Sequence, residues 1–230
     1  MVFHGLQKMT LLDFPGRVAA TLFTGGCNFR CPYCHNSLLV TDLKNTPVYS
    51  EEQVLAFLGT RRGILDGIAL TGGEPLMQIG VASFLKKVRA LGFLVKLDTN
   101  GSYPDTLEGL IGEGLVDYVA MDIKNSREKY ALTVGKPDLD LAPIERSVAL
   151  LKEGRVDYEF RTTVVQEYHT PEDIRAIGEW IAGARRWFLQ KFVDSGNTIE
   201  KGLSAHSDKT MEDMIKIGAE SVPEIATRGI

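Results

Sequence analysis

All three cysteines of the chain lie in one twelve-residue segment, GGCNFRCPYCHN at residues 25–36. Cys27, Cys31 and Cys34 have the spacing C-x3-C-x2-C, which lets three thiolates bind one inorganic centre. The chain has no fourth cysteine, so a four-iron cluster bound here would keep one iron open. An open metal position can bind a ligand and support chemistry, as catalytic zinc sites do and structural ones do not. The segment therefore predicts an open iron–sulfur cluster.

Three other kinds of site match parts of the same segment. CPYCH at residues 31–35 matches the attachment pattern of c-type haem, CPYC matches the dithiol of thioredoxin-like proteins, and His35 could complete a zinc site. Haem attachment needs export, yet the first ten residues show no charged-then-apolar signal pattern. The dithiol leaves Cys27 unexplained, and zinc requires the adjacent Cys34 and His35 to reach one ion. These objections favour the cluster but leave the alternatives open.

Composition and charge indicate an ordinary globular protein. The 230 residues are 44% hydrophobic and 24% charged, with a net charge of −4. We expect one domain, 1–230, with a short N-terminal extension at 1–17 and a C-terminal helical tail at about 194–230. The charge argues against nucleic acid as a partner, and no apolar stretch approaches the ~18 residues of a membrane span. Three clustered cysteines do not resemble a disulfide framework, which predicts a reducing, cytoplasmic location.

Strand-like and helix-like segments alternate along the chain after residue 17. Six apolar strands are predicted at 18–23, 67–71, 93–99, 117–124, 157–165 and 186–192. Helices are predicted at 51–58, 80–91, 104–113, 143–154, 171–182 and about 209–220. This alternation indicates an α/β fold with a parallel sheet covered by helices. Six units are too few for a closed eight-stranded barrel, so we predict a partial, open (β/α)6 barrel, with a doubly wound sheet as the alternative.

Polar and glycine-rich motifs occur at the carboxyl ends of these strands. They are TGGEP at 71–75, DTNG at 98–101 and MDIK at 121–124, and the last strand carries Gln190. In parallel β/α folds ligands bind at that end of the sheet, because the loops there converge. Turns are also polar for structural reasons, which explains DTNG and TGGEP but not Lys124 or Arg161 among apolar neighbours. The combination predicts one ligand site at this rim.

The side chains at this rim suit one kind of ligand. Gly72 and Gly73 allow close approach to backbone carbonyls, which can accept hydrogen bonds from an ammonium group. Asp98 and Asp122 can hold a cation or ribose hydroxyls. Lys124 and Arg161 can pair with a carboxylate, and Tyr33 offers an aromatic face for a base. S-adenosylmethionine (SAM) has an amino group, a carboxylate, a ribose and a base, and its amino and carboxylate groups could also chelate an open iron.

Together these motifs resemble a known family. C-x3-C-x2-C with an aromatic residue before the last cysteine, followed by GGEP at the next strand end, is the pattern of radical SAM enzymes. CNFRCPYCHN, TGGEPLMQ, DTNG and MDIK, in this order, resemble the activating enzymes of glycyl-radical enzymes. The start, GLQKMTLLDFPG, is most similar to the activating proteins of anaerobic ribonucleoside-triphosphate reductase, and pyruvate formate-lyase activating enzymes share the same blocks. The resemblance covers about residues 5–165.

The resemblance implies a set of site residues. It places one [4Fe–4S] cluster on Cys27, Cys31 and Cys34, with SAM beside it. The residues that it places around SAM are Tyr33, His35, Gly72, Gly73, Glu74, Asp98, Thr99, Asp122, Lys124 and Arg161. Of these, Asp98 and Thr99 are expected to help hold a monovalent cation, and Asp13 is expected near the entrance for a partner's glycyl loop. A histidine that related pyruvate formate-lyase activators carry after the last strand has no counterpart in FLQKFVDSG.

The resemblance also implies a reaction. An external one-electron donor such as flavodoxin or ferredoxin reduces the cluster, SAM is cleaved, and the resulting radical takes a hydrogen atom from a glycine of a partner enzyme. No protein acid or base is required, so no residue is predicted to be catalytic. The expected partner is anaerobic ribonucleoside-triphosphate reductase, and pyruvate formate-lyase or another glycyl-radical enzyme is the alternative. A dithiol redox or electron-transfer protein using CPYC is the alternative from another class.

Overall fold

The computed structural model describes residues 1–228 and contains ten strands. In chain order they are β1 (Val2–Phe3), β2 (Gly5–Thr10), β3 (Ala19–Thr24), β4 (Tyr49–Ser50), β5 (Gly67–Gly72), β6 (Leu94–Thr99), β7 (Tyr118–Asp122), β8 (Asp157–Val164), β9 (Arg186–Lys191) and β10 (Glu224–Arg228). Eight of them form one sheet in the order β10-β9-β8-β7-β6-β5-β3-β2, and β1 pairs with β4. Neighbours in the large sheet are parallel except β2, which is antiparallel to β3.

The α-helices of the described residues connect or follow the strands. They are α1 (Ser37–Thr41), α2 (Glu51–Gly59), α3 (Val81–Ala90), α4 (Pro104–Gly112), α5 (Tyr130–Thr133), α6 (Ala142–Lys152), α7 (Pro171–Trp180) and α8 (Asp208–Ala219). Ser50 and Thr170 form capping boxes that begin α2 and α7. In α3, Val81, Phe84 and Val88 recur at helical spacing and are buried in the main core. Within residues 1–228, no helix is both long and apolar enough to cross a membrane.

The structure confirms the α/β prediction and the open, partial barrel. The six predicted strands correspond to β3, β5, β6, β7, β8 and β9, and all six run parallel. β2 and β10 form the two edges, so the sheet stays open. Side chains alternate along each strand. In β7, Val119 and Met121 pack in the main core with the helices, whereas Tyr118, Ala120 and Asp122 lie on the opposite, inner face.

Two strands of the sheet were missed by the sequence prediction. β2 lies in the segment expected to be an N-terminal extension, and β10 lies in the segment expected to be a helical tail. The tail does contain α8, but it continues into β10, a seventh parallel strand that pairs with β9. Both strands are at an edge and keep several side chains exposed, so neither has the apolar run that marks the inner strands. That the chain is one domain stays a prediction.

A buried ion pair anchors β10 to the inside of the barrel. Arg228 donates to both carboxylate oxygens of Glu159, at 2.6 and 2.8 Å, and Glu159 is fully buried in β8. The guanidinium also stacks on Phe188, 3.6 Å from the centre of the ring. The hydroxyl of Tyr118 donates to Glu159 at 2.7 Å. These contacts join β7, β8, β9 and β10.

Candidate active site

A cavity lies at the carboxyl ends of the parallel strands. It encloses about 900 Å³ when its open mouth is included. Twelve of the thirteen residues predicted for the site line it: Cys27, Cys31, Tyr33, Cys34, His35, Gly72, Gly73, Asp98, Thr99, Asp122, Lys124 and Arg161. The thirteenth, Glu74, is fully buried and is not part of the lining. The fold thus brings motifs from five strand ends to one place.

The cysteine loop connects β3 to α1 and is held by main-chain contacts. The amide of Gly26 donates to the carbonyl of Leu39 at 2.7 Å, and the amide of Arg30 donates to that of Val134 at 2.9 Å. The Arg30 guanidinium donates to the carbonyl of Cys27 at 2.7 Å. These hydrogen bonds position the loop independently of anything bound to its thiols.

The three cysteines are free thiols that line the same cavity. Burial raises the pKa of each thiol, and that of Cys31 reaches about 12. A reactive dithiol needs a lowered thiol pKa, so this environment disfavours the redox alternative. A metal centre deprotonates its thiol ligands outright, so burial does not oppose ligation.

Two glycines bring the end of β5 into backbone contact with the cysteine loop. Gly72 has a φ of +117°, a conformation that favours glycine. A Cβ on Gly73 would overlap the carbonyl of Gly26. The amide of Gly73 donates to the carbonyl of Thr24 at 2.9 Å, and that of Glu74 donates to the carbonyl of Gly26 at 2.8 Å. The glycine pair therefore sets the position of the cysteine loop relative to the sheet.

Glu74 connects this motif to the DTNG turn. Its carboxylate accepts hydrogen bonds from the Thr99 hydroxyl at 2.8 Å and from the amides of Leu76 and Asn100 at 3.0 and 2.8 Å. Burial raises the pKa of Glu74 to about 7, although these donors favour the carboxylate. Because these contacts occupy both carboxylate oxygens, the predicted contact of Glu74 with SAM stays a prediction.

Five charged side chains form a network across β6, β7 and β8. Arg161 donates to one oxygen of Asp122 at 3.0 Å and to one of Asp98 at 3.3 Å. Lys124 donates to the other oxygen of Asp122 at 3.0 Å, and the buried Lys96 donates to the other oxygen of Asp98. Burial opposes ionisation, but Arg161 and Lys124 outweigh it and lower the pKa of Asp122 to about 2. Three cations and two carboxylates give a net charge of +1, which suits a carboxylate ligand.

Three residues to which the family resemblance gives a role make hydrogen bonds within the protein. A monovalent cation was expected at Asp98 and Thr99, yet both oxygens of Asp98 accept from protein cations and the Thr99 hydroxyl donates to Glu74. Asp13 was expected near a partner's glycyl loop. It lies outside the cavity lining and accepts a hydrogen bond from the hydroxyl of Thr21. Both roles stay predictions.

Sequence reasoning missed four polar residues of the site. Asn36, Asn100 and Thr163 line the cavity, and Lys96 pairs with Asp98. A signal for two of them was present, because side chains two residues apart on a strand share a face. Lys96 and Asp98 are related in this way, as are Thr163 and Arg161. Asn36 and Asn100 carry no such signal beyond their place in the motifs.

Two aromatic rings lie beside the cysteines. The hydroxyl of Tyr33 donates to the carbonyl of Lys124 at 3.3 Å. The ring of His35 packs on Phe192 in the FLQKFVDSG segment, with 5.6 Å between ring centres. Burial, with the charge of Lys124, lowers the pKa of His35. Both rings line the cavity, where they can contact a base.

His169 is fully buried and positions the main chain of Lys124. Its Nε2 lies 2.8 Å from the carbonyl oxygen of Lys124, and its Nδ1 accepts from the amide of Val165 at 3.2 Å. An amide donor at Nδ1 requires the neutral ring with its proton on Nε2. Burial lowers the pKa of His169 to about 4, which agrees with this protonation state.

This histidine predicts a pH-dependent stability. The unfolded chain binds a proton at His169 near the ordinary pKa of about 6.5, whereas the folded chain binds it only near 4. The stability that neutral His169 contributes to the fold is complete above about pH 6.5 and is lost as the pH decreases. We therefore expect the free energy of unfolding to fall by roughly 2 kcal/mol between about pH 7.5 and about pH 5. The free energy of unfolding of wild type and His169→Gln should be measured across this range. Equal slopes for the two proteins would contradict the assignment.

The fold and the cavity together define a class of protein. An open parallel barrel whose rim holds three free thiols and a network with cationic side chains is suited to an enzyme that binds a metal cluster and a ligand with a carboxylate group side by side. The sequence model of the Radical SAM superfamily matches residues 21–181. A protein of Methanocaldococcus jannaschii named "Putative glycyl-radical enzyme activating enzyme MJ1227" is 31% identical over 234 aligned residues, which cover 98% of this chain and 95% of the relative. The chain belongs to the radical SAM superfamily.

Two further similarities agree with this assignment. A pyruvate formate-lyase-activating enzyme of Staphylococcus epidermidis is 27% identical over 163 residues, 65% of this chain and 64% of the relative. The crystal structure of QueE from Escherichia coli superposes with a TM-score of 0.61 at 17% identity, over 100% of this chain and 94% of that one. At such low identity the likeness to QueE concerns the fold.

Radical SAM enzymes use a [4Fe–4S] cluster and SAM, and the cavity fits both. Cys27, Cys31 and Cys34 line the cavity as free thiols, and thiolates are the usual ligands of such clusters, so three of them would leave one iron for the cofactor. Lys124 and Arg161 line the same cavity, and their cationic groups would suit the carboxylate of SAM. The donor set and the charge of the site thus match the cofactors of the superfamily.

The role of Lys124 can be tested by binding. In a Lys124→Ala variant the network loses one of its three cations, so we expect SAM to bind about tenfold to a hundredfold more weakly, from the 1.5–3 kcal/mol of a charged hydrogen bond. The cluster should remain, because Lys124 contacts none of the thiols. Calorimetric titration of the reconstituted protein with SAM gives the affinity. The control is Lys129→Ala, because Lys129 pairs with Asp173 and does not belong to the network. Equal affinity in the Lys124 variant would contradict the role.

Proposed function

We propose that the protein is an oxidoreductase that activates a glycyl-radical enzyme, and that its partner is an anaerobic ribonucleoside-triphosphate reductase. The observation that carries the proposal is the similarity, over 98% of this chain, to a relative named for activation of glycyl-radical enzymes. The segment GLQKMTLLDFPG before the cysteine loop, which forms β2 and the following turn, supports the choice of reductase.

In this function the cofactors supply a carbon-centred radical through one-electron cleavage of SAM. The chain holds the cofactors and orients them. The three cysteines bind the cluster, and the backbone at Gly72 and Gly73 accepts hydrogen bonds from the amino group of SAM. Lys124 and Arg161 pair with its carboxylate. No protein group has to move a proton, so no side chain is assigned as catalytic.

The proposal also names the partner, the electron donor and the location of the protein. The partner is a protein that presents one glycine, and the electron comes from an external one-electron donor such as flavodoxin or ferredoxin. Free thiols that bind an iron–sulfur cluster need a reducing compartment, which supports a cytoplasmic location. Nucleic acid is not expected among the partners, given a net charge of −4, and a membrane is not expected because no apolar stretch of the sequence approaches the ~18 residues of a span.

A second candidate is the activation of pyruvate formate-lyase. The similarity to pyruvate formate-lyase-activating enzymes favours it, at 27% identity over 65% of this chain for the Staphylococcus epidermidis protein. Both candidates use the same cavity and the same cofactors, and they differ only in the partner. The choice therefore depends on the surface that meets the partner rather than on the site itself.

The test is to mix the reduced, SAM-loaded protein with each candidate partner and record EPR spectra. We expect a glycyl-radical doublet with anaerobic ribonucleoside-triphosphate reductase, and none when the radical-bearing glycine of the partner is replaced by alanine. A doublet with pyruvate formate-lyase alone would support the second candidate. Formation of 5′-deoxyadenosine without a doublet on any glycyl-radical enzyme would contradict both.

A further inference from the structure

The side chain of Asn100 reaches a cysteine of the cluster site from a distant part of the chain. Asn100 follows β6 in the DTNG turn and is 5% exposed. Its Nδ2 lies 3.7 Å from Sγ of Cys27, within the range of an N–H···S hydrogen bond. The main-chain amide of Phe29 donates to the same sulfur at 3.4 Å. Cys27 therefore receives one hydrogen bond from its own loop and one from the turn after β6.

The neighbours of Asn100 determine which end of its amide faces the sulfur. Oδ1 accepts from the main-chain amide of Ser102 at 2.9 Å, and a main-chain amide can only donate. Nδ2 must therefore face Cys27, and its second hydrogen goes to Oδ1 of Asn28 at 2.9 Å. The side-chain amide nitrogen Nδ2 of Asn28 in turn donates to the hydroxyl of Ser102 at 2.9 Å. The donor toward the sulfur is thus assigned by a closed set of hydrogen bonds.

The main chain of the turn is fixed as well. The buried Glu74 accepts from the amide of Asn100 at 2.8 Å and from the hydroxyl of Thr99 at 2.8 Å. Glu74 also follows the two glycines that contact the cysteine loop, and its own amide donates to the carbonyl of Gly26 at 2.8 Å. The donor and the loop that carries its acceptor are therefore held by the same buried residue.

We propose that Asn100 tunes the reduction potential of the [4Fe–4S] cluster through Cys27, with Glu74 as the residue that positions it. Reduction adds one electron from the external donor to the cluster, and no bond forms or breaks at Asn100. The added charge is shared with the thiolate ligands, so a hydrogen bond to a ligand sulfur stabilises the reduced state more than the oxidised state. The bond therefore makes the cluster easier to reduce.

The experiment is an EPR-monitored redox titration of the reconstituted protein without SAM, after iron analysis of each variant. Asn100→Leu removes the donor at similar size, and its midpoint potential is expected to shift to a more negative value than that of the wild type. Asn100→Asp keeps the acceptor for Ser102 and places an oxygen against the sulfur, so its shift should have the same sign. Asn45→Leu removes an exposed side-chain amide that donates to Asp42 outside the cavity, and its potential should equal that of the wild type.

Two outcomes would overturn the proposal. Potentials of both Asn100 variants equal to that of the wild type, with the cluster retained, would show that the hydrogen bond does not affect the cluster. Failure of both variants to retain iron would show that Asn100 is needed to hold the cluster, not to tune it. The measurement uses no partner enzyme, so it can succeed even where the activation of a glycyl-radical enzyme is disproved.

Discussion

A Cys31→Ala variant is expected to lose the cluster and with it all cleavage of SAM. Cys31 is the buried member of the three cysteines, and no fourth cysteine exists to replace it. Two thiolates leave a second iron without a protein ligand, so the four-iron cluster should not survive purification. Anaerobic iron and sulfide analysis checks the first part, and formation of 5′-deoxyadenosine from SAM with dithionite checks the second.

The wild type and one control complete this test. The wild type should hold about four irons per chain, a number that a dithiol redox protein would not show. Leu38→Ala, which alters an exposed residue of the helix after the cysteine loop, should hold the same number. Turnover of SAM that persists in Cys31→Ala would disprove the assignment of the cluster to these cysteines.

The second large effect concerns stability and the last strand of the sheet. Replacing Arg228 by leucine leaves the fully buried Glu159 without its bidentate partner. Breaking a buried ion pair from one side costs about 3–5 kcal/mol, and because Arg228 is itself 35% exposed we expect about 3 kcal/mol. Urea unfolding of variant and wild type in the same cofactor state measures the difference.

Two further variants test whether the loss of stability comes from the buried carboxylate of Glu159. The double variant Arg228→Leu, Glu159→Gln removes both charges, so it should be more stable than the single Arg228 variant. Arg175→Leu removes an exposed partner of Glu220 on the outer helices and should cost less than about 1 kcal/mol. A double variant no more stable than Arg228→Leu would mean that the loss does not come from the uncompensated carboxylate.

Much of the fold was predictable because local signals and tertiary structure agree. The inner strands β5 and β7 are buried on both faces over most of their length, so each appears in the sequence as a short hydrophobic run. The helices predicted to begin at 51 and 171 do begin there, directly after the capping residues Ser50 and Thr170. The edge strands were missed because their partners supply most of the stabilisation and their own residues are largely polar.

The site was predictable where a motif is also a strand end. Cys27, Lys124 and Arg161 line one cavity because parallel strands present their carboxyl ends on one side. Glu74 shows the limit of this reasoning, because its place in the motif did not reveal that its carboxylate accepts hydrogen bonds from the DTNG turn. Lys96 was missed because a lysine inside a hydrophobic strand is stable only when a partner such as Asp98 compensates its charge, which periodicity alone cannot reveal.

The sequence by itself indicated the type of chemistry, because three cysteines at this spacing without a fourth predict an open cluster and the strand-end motifs predict partners for SAM. The tertiary structure alone decided how those groups are held. Contacts between residues far apart in sequence pair Asn100 with Cys27, Glu74 with the DTNG turn, and Arg228 with Glu159. Hydrogen bonds and charges of this kind depend on the burial and direction of each side chain, and those exist only once the strands have assembled.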